Sequence, residues 1–465
     1  MARLIIDNIE IEIEDGATVL DAAARAGADI PTLCYTRQTG AQCSCMLCVV
    51  KDAASGRMLP ACSAKAGDGM AIDTRGGEVM ALRRETLLML LSEHAGDCEA
   101  PCTRICPASL DIPRMMRLIA GGDEAAAARV AKRDLVFPAT LGRICAAPCE
   151  KGCRRALYDA PLNIRASHAM LGHEMPERAE PSGKTIAVIG AGLAGMAAAF
   201  SCLLRGHACR VYDESPVVCP NLRDQYAQQL PPEILDREVD SIRLIGATML
   251  LGAAVDLAAV LSTSDAVIVA CDTAATADAP TVFRAAEHAM PVRSVANGRA
   301  AAHAADSFLR GIPYAHSRRY NSTLGRLRAE EIEAYAVARR IDNPAGEADR
   351  CLGCDCRNPV SCRLRRYADQ YGIRAHINRC MDRPSVAPIQ SFGPVLFEPG
   401  KCIKCGICIE LCRQAGDGGL TFAGRGLDTR VELPPGGRLS DDLAIRCAEA
   451  CPTGALALRA CEETP

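Results

Sequence analysis

A chain of 465 residues is too long for one hydrophobic core and implies roughly three or four domains, and a formal net charge of −3 gives no electrostatic basis for binding nucleic acid. No apolar run approaches a membrane span, and MARLIIDNIEIEIEDG carries acids where a signal peptide would carry basic residues and an apolar block, so a soluble, cytoplasmic protein with no direct membrane insertion is expected. The 27 cysteines mostly stand in tight groups, which in a reducing compartment means metal rather than disulfides.

Residues 1–77 open with apolar alternation over Leu4-Ile5-Ile6 and Ile9 to Ile13 around Asp7-Asn8, which predicts a hairpin; Thr18 to Ala26 then predicts a helix closed by Gly27. Cys34, Cys45, Cys48 and Cys62 follow in the spacing C-x10-C-x2-C-x13-C. This pattern resembles the ferredoxin-like domain at the start of the large iron–sulfur subunit of respiratory complex I and of its relatives in iron hydrogenases and formate dehydrogenases. The resemblance implies a β-grasp fold with one 2Fe-2S cluster on those four thiols. Cys43 occupies a place that family usually gives to glycine and is read as a neighbour, not a ligand.

Residues 78–180 begin with a helical run, VMALRRETLLMLLSEH, with a broad leucine face, and lead into His94. Two runs of three cysteines follow, Cys98, Cys102 and Cys106, then Cys145, Cys149 and Cys153, with a proline after Cys106. Between them, IPRMMRLIAGGDEAAAARVAKRD reads as two helices joined at Gly121-Gly122, a structural spacer. The runs resemble the N-terminal cluster domain shared by the glutamate synthase small subunit and the front end of dihydropyrimidine dehydrogenase. There the two runs interleave, and one ligand of the second cluster is a non-cysteine side chain after a P-x-N-I-type turn. Laid on Pro161-Leu162-Asn163-Ile164, that turn brings His168 to the ligand position, while His94 takes the missing leading place, as in the His-x3-Cys pair of the complex I subunit. The resemblance therefore implies one 4Fe-4S cluster on His94, Cys98, Cys102 and Cys153 and another on Cys106, Cys145, Cys149 and His168. Imidazole in place of thiolate should raise a cluster's potential. The alternative for both histidines is an ordinary surface residue.

Residues 181–312 carry a strand, Thr185 to Ile189, the loop glycines Gly190, Gly192 and Gly195, a helix, and a second strand ending at Asp213-Glu214. This order fits a Rossmann-type fold whose loop amides face a pyrophosphate and one of whose acids holds a ribose. It resembles the flavin domain of the glutamate synthase small subunit, which implies FAD. The chain departs from that family at Cys219-Pro220, where a glycine pair is usual, at Ala270-Cys271-Asp272, where Ala-Thr-Gly is usual, and in FRAAEHAMPVRSVANG, which offers no Gly-Asp pair. The interval after Asp265 is also too short for a second nucleotide-binding half. Hydride exchange with a nicotinamide is not expected here, and the domain either retains FAD or serves as a folded scaffold.

A connector over 313–390 contains Cys351, Cys354, Cys356 and Cys362, a density that suits a 4Fe-4S cluster or structural zinc, with Cys380 as a substitute ligand. Residues 391–465 hold KCIKCGICIELCRQ and RCAEACPTGAL, which resemble the bacterial ferredoxin module and imply a 4Fe-4S cluster on Cys402, Cys405, Cys408 and Cys451. Asp441 and Ala444 stand where a second cluster would need cysteines beside Cys412 and Cys447, so one cluster is expected. The fold class is multidomain α+β and α/β: β-grasp ferredoxin, helical double-cluster domain, truncated Rossmann-type FAD domain and C-terminal ferredoxin-like module. With one 2Fe-2S cluster and three or four 4Fe-4S clusters, the chain reads as an electron-transfer subunit of a soluble multisubunit oxidoreductase with no substrate chemistry of its own. Its partners would be an NADH/flavin subunit and a hydrogenase- or formate dehydrogenase-like catalytic subunit. The alternatives are an NAD(P)H-dependent flavin/iron–sulfur reductase and, third, a redox sensor or scaffold.

Overall fold

A computed structural model describes residues 1–172, 174–271, 279–313, 322–327, 329–339, 346–373, 388–416 and 418–459. Cys380, Asp272 and much of the connector lie outside the described residues. The chain forms two compact units, one of Met1–Glu99, Arg318–Arg339 and Cys354–Pro465, the other of Ala100–Ser317 and Arg340–Gly353. These units cut across the five sequence stretches: the connector is divided, and 1–77 shares a unit with 391–465.

In the first unit, strands Ala2–Ile6 and Ile9–Ile13 pair antiparallel through Asp7 and Asn8, both at positive φ, as a tight hairpin turn requires. They extend into a five-stranded sheet with Ala71–Asp73, Val49–Asp52 and Arg57–Pro60. Helix Val19–Arg25 starts at a reciprocal Thr18/Asp21 capping box and buries Val19, Ala22 and Ala23. Helix Gly77–Ser92 buries Val79, Leu87 and Leu91, but also Arg83, whose guanidinium donates to Val49 O at 2.8 Å and Tyr371 Oη at 3.2 Å. A small antiparallel sheet, Gln390–Phe392, Val395–Phe397 and Leu456–Leu458, backs helices Ile407–Ala415 and Asp441–Ala450. One hydrophobic core takes in these elements, helix Arg363–Gln370, Leu33, Leu47 and the thiols Cys34, Cys45, Cys362 and Cys405.

In the second unit, helices Ile112–Ala120 and Glu124–Leu135 meet at Gly121-Gly122, with Gly122 at φ +80°. The short helices Pro138–Ile144 and Ile164–Met170 follow. A parallel five-stranded sheet has the order 247–251, 208–213, 185–189, 266–269, 282–284. Helices Leu193–Leu204 and Pro291–Leu309 meet at Gly298, where a Cβ would lie 2.0 Å from Ala194 O.

Candidate iron–sulfur sites

Cys34, Cys45, Cys48 and Cys62 are all buried free thiols, Cys34 interacting with Cys45 and Cys62, and Cys48 with Cys62. The Cys45 and Cys62 thiols, helped by the backbone N–H groups of Cys45 and Ser44, hold Cys34 well below the usual thiol range against the effect of burial. The Cys62 thiol draws Cys48 down to about 7. The same contacts, with burial, push Cys45 and Cys62 well above the usual thiol range, so the group as a whole holds its protons unevenly. Cys43 is exposed and sits at φ +51°, which is why glycine suits this position: the loop winds through the left-handed region here and at Met46.

Cys402, Cys405, Cys408 and Cys451 line a single cavity whose remaining wall includes Phe397, Ile407, Val431 and Leu456. Lys404 and Gly406, both at positive φ, coil the 402–408 segment around it, and Lys404 N–H points at Cys402 Sγ at 3.4 Å. Cys451 caps helix Asp441–Ala450 immediately before Pro452. Burial and the neighbouring Cys451 push the Cys402 thiol up to about 11, despite the Lys404 N–H. Cys412 and Cys447 pair with each other beside the site, Cys447 Sγ also reaching Cys408 O at 3.7 Å. The cavity, its four thiols and its apolar shell fit a buried cluster.

Cys98 stands with Cys356 and Cys362. Cys356 N–H donates to Cys98 O at 3.3 Å, and burial, then the Cys356, Cys98 and Cys451 sulfurs, push Cys362 up to about 12. Cys362 Sγ caps helix Arg363–Gln370 by accepting from Arg365 N–H at 3.4 Å. A Cβ on Gly454 would lie 2.2 Å from Cys356 Sγ, so only glycine fits there. The Cys98 loop is clamped by residues 322–324: Cys98 N–H donates to Ser322 O at 3.1 Å, Ser322 Oγ to Gly96 O at 2.8 Å, and Leu324 N–H to the buried Asp97 carboxylate at 3.1 Å. His94 precedes this loop with its Nδ1 buried and without a hydrogen-bond partner among the described residues, and burial, then Lys401, lowers the imidazole to about 4. A neutral ring with an unused nitrogen is a candidate ligand. The set of Cys98, Cys102 and Cys153 that the resemblance implies draws on both units, as does the group of Cys351, Cys354, Cys356 and Cys362: the unit boundaries fall between Glu99 and Ala100 and between Gly353 and Cys354.

In the second unit, Cys106 and Cys145 each follow a short helix and Cys149 lies in the helix Pro148–Lys151. Burial, then the Cys106 and Cys145 sulfurs, raise Cys149 above the normal thiol range. Helices Pro138–Ile144 and Ile164–Met170 touch at Gly142, where a Cβ would lie 2.2 Å from Ala169 Cβ, and His168 precedes that contact. His168 is buried, not a surface residue; its Nδ1 lies 2.9 Å from Pro138 O, which fixes the N–H there and leaves Nε2 as the lone-pair nitrogen. Cys102 lies in the helix Pro101–Ile105, which packs against Gly152 beside Cys153. Cys351 ends the turn Ala348–Arg350, which is anchored in this unit: Arg350 pairs with Asp159 and Glu347, and Asn163 N–H donates to Glu347 at 2.7 Å. Among the described residues no three His, Cys, Asp or Glu side chains converge on a single-ion point.

The glycine loop has the expected shape. Gly190 is at φ +105°, and a Cβ on Gly195 would lie 1.8 Å from Gly190 O. Its amides, however, face carboxylates of the chain itself. Ala191 N–H donates to Asp213 at 2.5 Å and Ala194 N–H to Glu287 at 2.7 Å, and a Cβ on Gly192 would lie 2.3 Å from the same Glu287 oxygen. Glu214 is exposed. Glu287, in the segment where sequence reading found no Gly-Asp pair, thus occupies the end of the helix that a pyrophosphate would need. The residues present do not fit FAD in this arrangement.

Residues 1–77 match the family described as 2Fe-2S iron-sulfur cluster binding domain, and residues 88–176 the family described as dihydropyrimidine dehydrogenase domain II, 4Fe-4S cluster. The β subunit of an NADP(+)-dependent formate dehydrogenase of Moorella thermoacetica is 30% identical over 180 residues, covering 32% of this chain and 26% of that protein. One subunit of the NADH-quinone oxidoreductase of Rhizobium meliloti (strain 1021) is 40% identical over 98 residues, covering 21% of this chain and 12% of that protein. The NAD-dependent dihydropyrimidine dehydrogenase subunit PreT of Escherichia coli (strain K12) is 30% identical over 175 residues, covering 35% and 42%. The chain thus spans less than half the length of each of these relatives. It is a mixed α/β protein of several domains that carries a 2Fe-2S domain followed by a 4Fe-4S domain. Among the described residues no helix is long and apolar enough to cross a membrane.

Proposed function

We propose that this chain is an electron-transfer subunit of a multisubunit oxidoreductase, relaying electrons between an NADH- or flavin-bearing partner and a catalytic subunit of the formate dehydrogenase or hydrogenase kind. The observation that carries this reading is the continuity of sulfur in the first unit. Cys405 lies close enough to Cys34 for their charges to interact, Ser44 Oγ donates to Cys405 O at 3.0 Å, and Cys362 in turn feels Cys451. The Cys402–Cys451 site therefore lies between the 2Fe-2S thiols and the Cys98 site.

On this reading the 2Fe-2S cluster is held by Cys34, Cys45, Cys48 and Cys62, and one 4Fe-4S cluster by Cys402, Cys405, Cys408 and Cys451. A second 4Fe-4S cluster is held by His94, Cys98, Cys356 and Cys362, and a third by Cys106, Cys145, Cys149 and His168. Cys102, Cys153 and Cys351 contribute to a fourth. These sets differ from the groupings that the resemblance implies for Cys98 and that cysteine density implies for Cys351. Bound clusters supply one-electron oxidation and reduction; in the three clusters with four named ligands the protein encloses the group with its own side chains, burial and backbone N–H groups. Support for the partners comes from relatives named as subunits of formate dehydrogenase and NADH-quinone oxidoreductase. The reductase alternative is disfavoured by Glu287 at the glycine loop. The test is anaerobic reconstitution with an iron count and redox-poised resonance spectra. Roughly 18 irons per chain, with separable 2Fe-2S and 4Fe-4S signals, are expected. A nearly iron-free protein, or an isolated chain that turns over NADH or NADPH, would overturn the proposal.

A further inference from the structure

Lys401 is among the largest side chains the first unit buries, with 1% of its surface exposed. Its ammonium donates to Asp355 O at 3.0 Å, in the residue before Cys356, and to Glu398 Oε1 at 2.8 Å. Its stem lies against the turn between His94 and Cys98: a Cβ on Gly96 would come 2.8 Å from Lys401 Cε and 2.9 Å from Cγ. Its carbonyl accepts from Thr453 Oγ1 at 3.1 Å, and the next residue is Cys402. Glu398, equally buried, is shared with Arg339. One side chain thus touches both loops that supply the Cys98 site, while its backbone belongs to the neighbouring site.

We propose that Lys401 is the positioning residue that joins the two loops of the His94, Cys98, Cys356 and Cys362 site, and that its buried charge raises the reduction potential of the cluster there relative to the neighbouring Cys402–Cys451 cluster. This rests on the assignment of a cluster to those four ligands. Reduction adds one negative charge, a nearby cation stabilises that state, and a charge removed from water is weakly screened. Glu398 acts with the opposite sign. Lys401 therefore biases the direction in which electrons settle between two adjacent clusters.

Lys401→Met, Lys401→Arg and Glu398→Gln, each made in the full chain and reconstituted without oxygen, test this by redox-poised resonance spectroscopy. At the potential that half-reduces the parent's cluster, Lys401→Met should lower the reduced-to-oxidised ratio at least tenfold, about 59 mV for a one-electron couple. Glu398→Gln should raise it, and Lys401→Arg should stay within threefold of the parent. A purely structural role would move Lys401→Met and Glu398→Gln in the same sense, and that result overturns the tuning. Loss of the cluster from Lys401→Met supports the joining role and leaves Glu398→Gln to decide the charge effect, where an unchanged ratio overturns it. The cluster assignment fails separately if Cys362→Ala keeps every signal.

Discussion

The Cys402–Cys451 site and the Cys98–Cys356–Cys362 site have similar sulfur chemistry in one core but are built by opposite means. In the first, three thiols come from one coil whose shape is fixed locally by the positive φ of Lys404 and Gly406, and the fourth caps a helix that Pro452 ends. In the second, no local turn brings the ligands together. The join is made by Cys356 N–H on Cys98 O, by the Ser322 clamp and by Lys401. A site of the first kind sets three of its four ligands within one short segment. A site of the second kind exists only after the chain has left the unit at Glu99 and returned to it, so it bears the entropy of closing that long excursion.

The largest expected effect separates the two ways of grouping the thiols. Cys356→Ala should remove one 4Fe-4S signal and about four irons while leaving the 2Fe-2S signal and the Cys402 cluster in place. Cys351→Ala should remove a different 4Fe-4S signal and leave the one lost in Cys356→Ala intact. Identical losses from the two variants would restore the grouping drawn from spacing. A smaller effect is expected from Gly454→Ala. Its new methyl meets Cys356 Sγ at a separation no real contact shows, so overpacking of about 1–3 kcal/mol should fall on the split site. Thermal unfolding should shift down, and the split site should load iron incompletely, with the 2Fe-2S signal unchanged. Equal loss at all sites would show that the strain spreads through the core.

Locally determined features were legible in the sequence. The hairpin at Asp7-Asn8, the Thr18 helix start and the helix pair at Gly121-Gly122 formed where the pattern placed them, and the Cys34 thiol lies against those of Cys45 and Cys62. Spacing is silent where tertiary structure supplies the neighbour. Cys98 is four residues from His94 and four from Cys102, yet its backbone bonds run to Ser322 and Cys356. Lys401 reads as an ordinary solvated lysine before a cysteine, and only its burial against Gly96 distinguishes it. The leucine face of helix Gly77–Ser92 gave no hint of the buried Arg83 within it, because its partners, Val49 O and Tyr371 Oη, are remote in sequence.

The glycine loop is the converse of the split site. Its motif is contiguous and its backbone adopts the expected turn, yet the amides that give such a loop its use are bound to Asp213 and Glu287. A pyrophosphate entering there would meet like charges at contact range, where two unit charges in a partly screened protein site repel by about 4 kcal/mol. Free FAD should therefore keep its fluorescence when the protein is added, and gel-filtered protein should show no flavin once its clusters are bleached. Glu287→Gln removes one of the two charges but leaves the side chain in the cradle and Asp213 in place. The expected gain in flavin binding is thus about tenfold at most, roughly 1.4 kcal/mol, the smallest of these effects. Stoichiometric FAD in the unaltered protein would mean that Glu287 swings aside for the cofactor, and the sheet would then be an electron-carrying flavin domain rather than a scaffold.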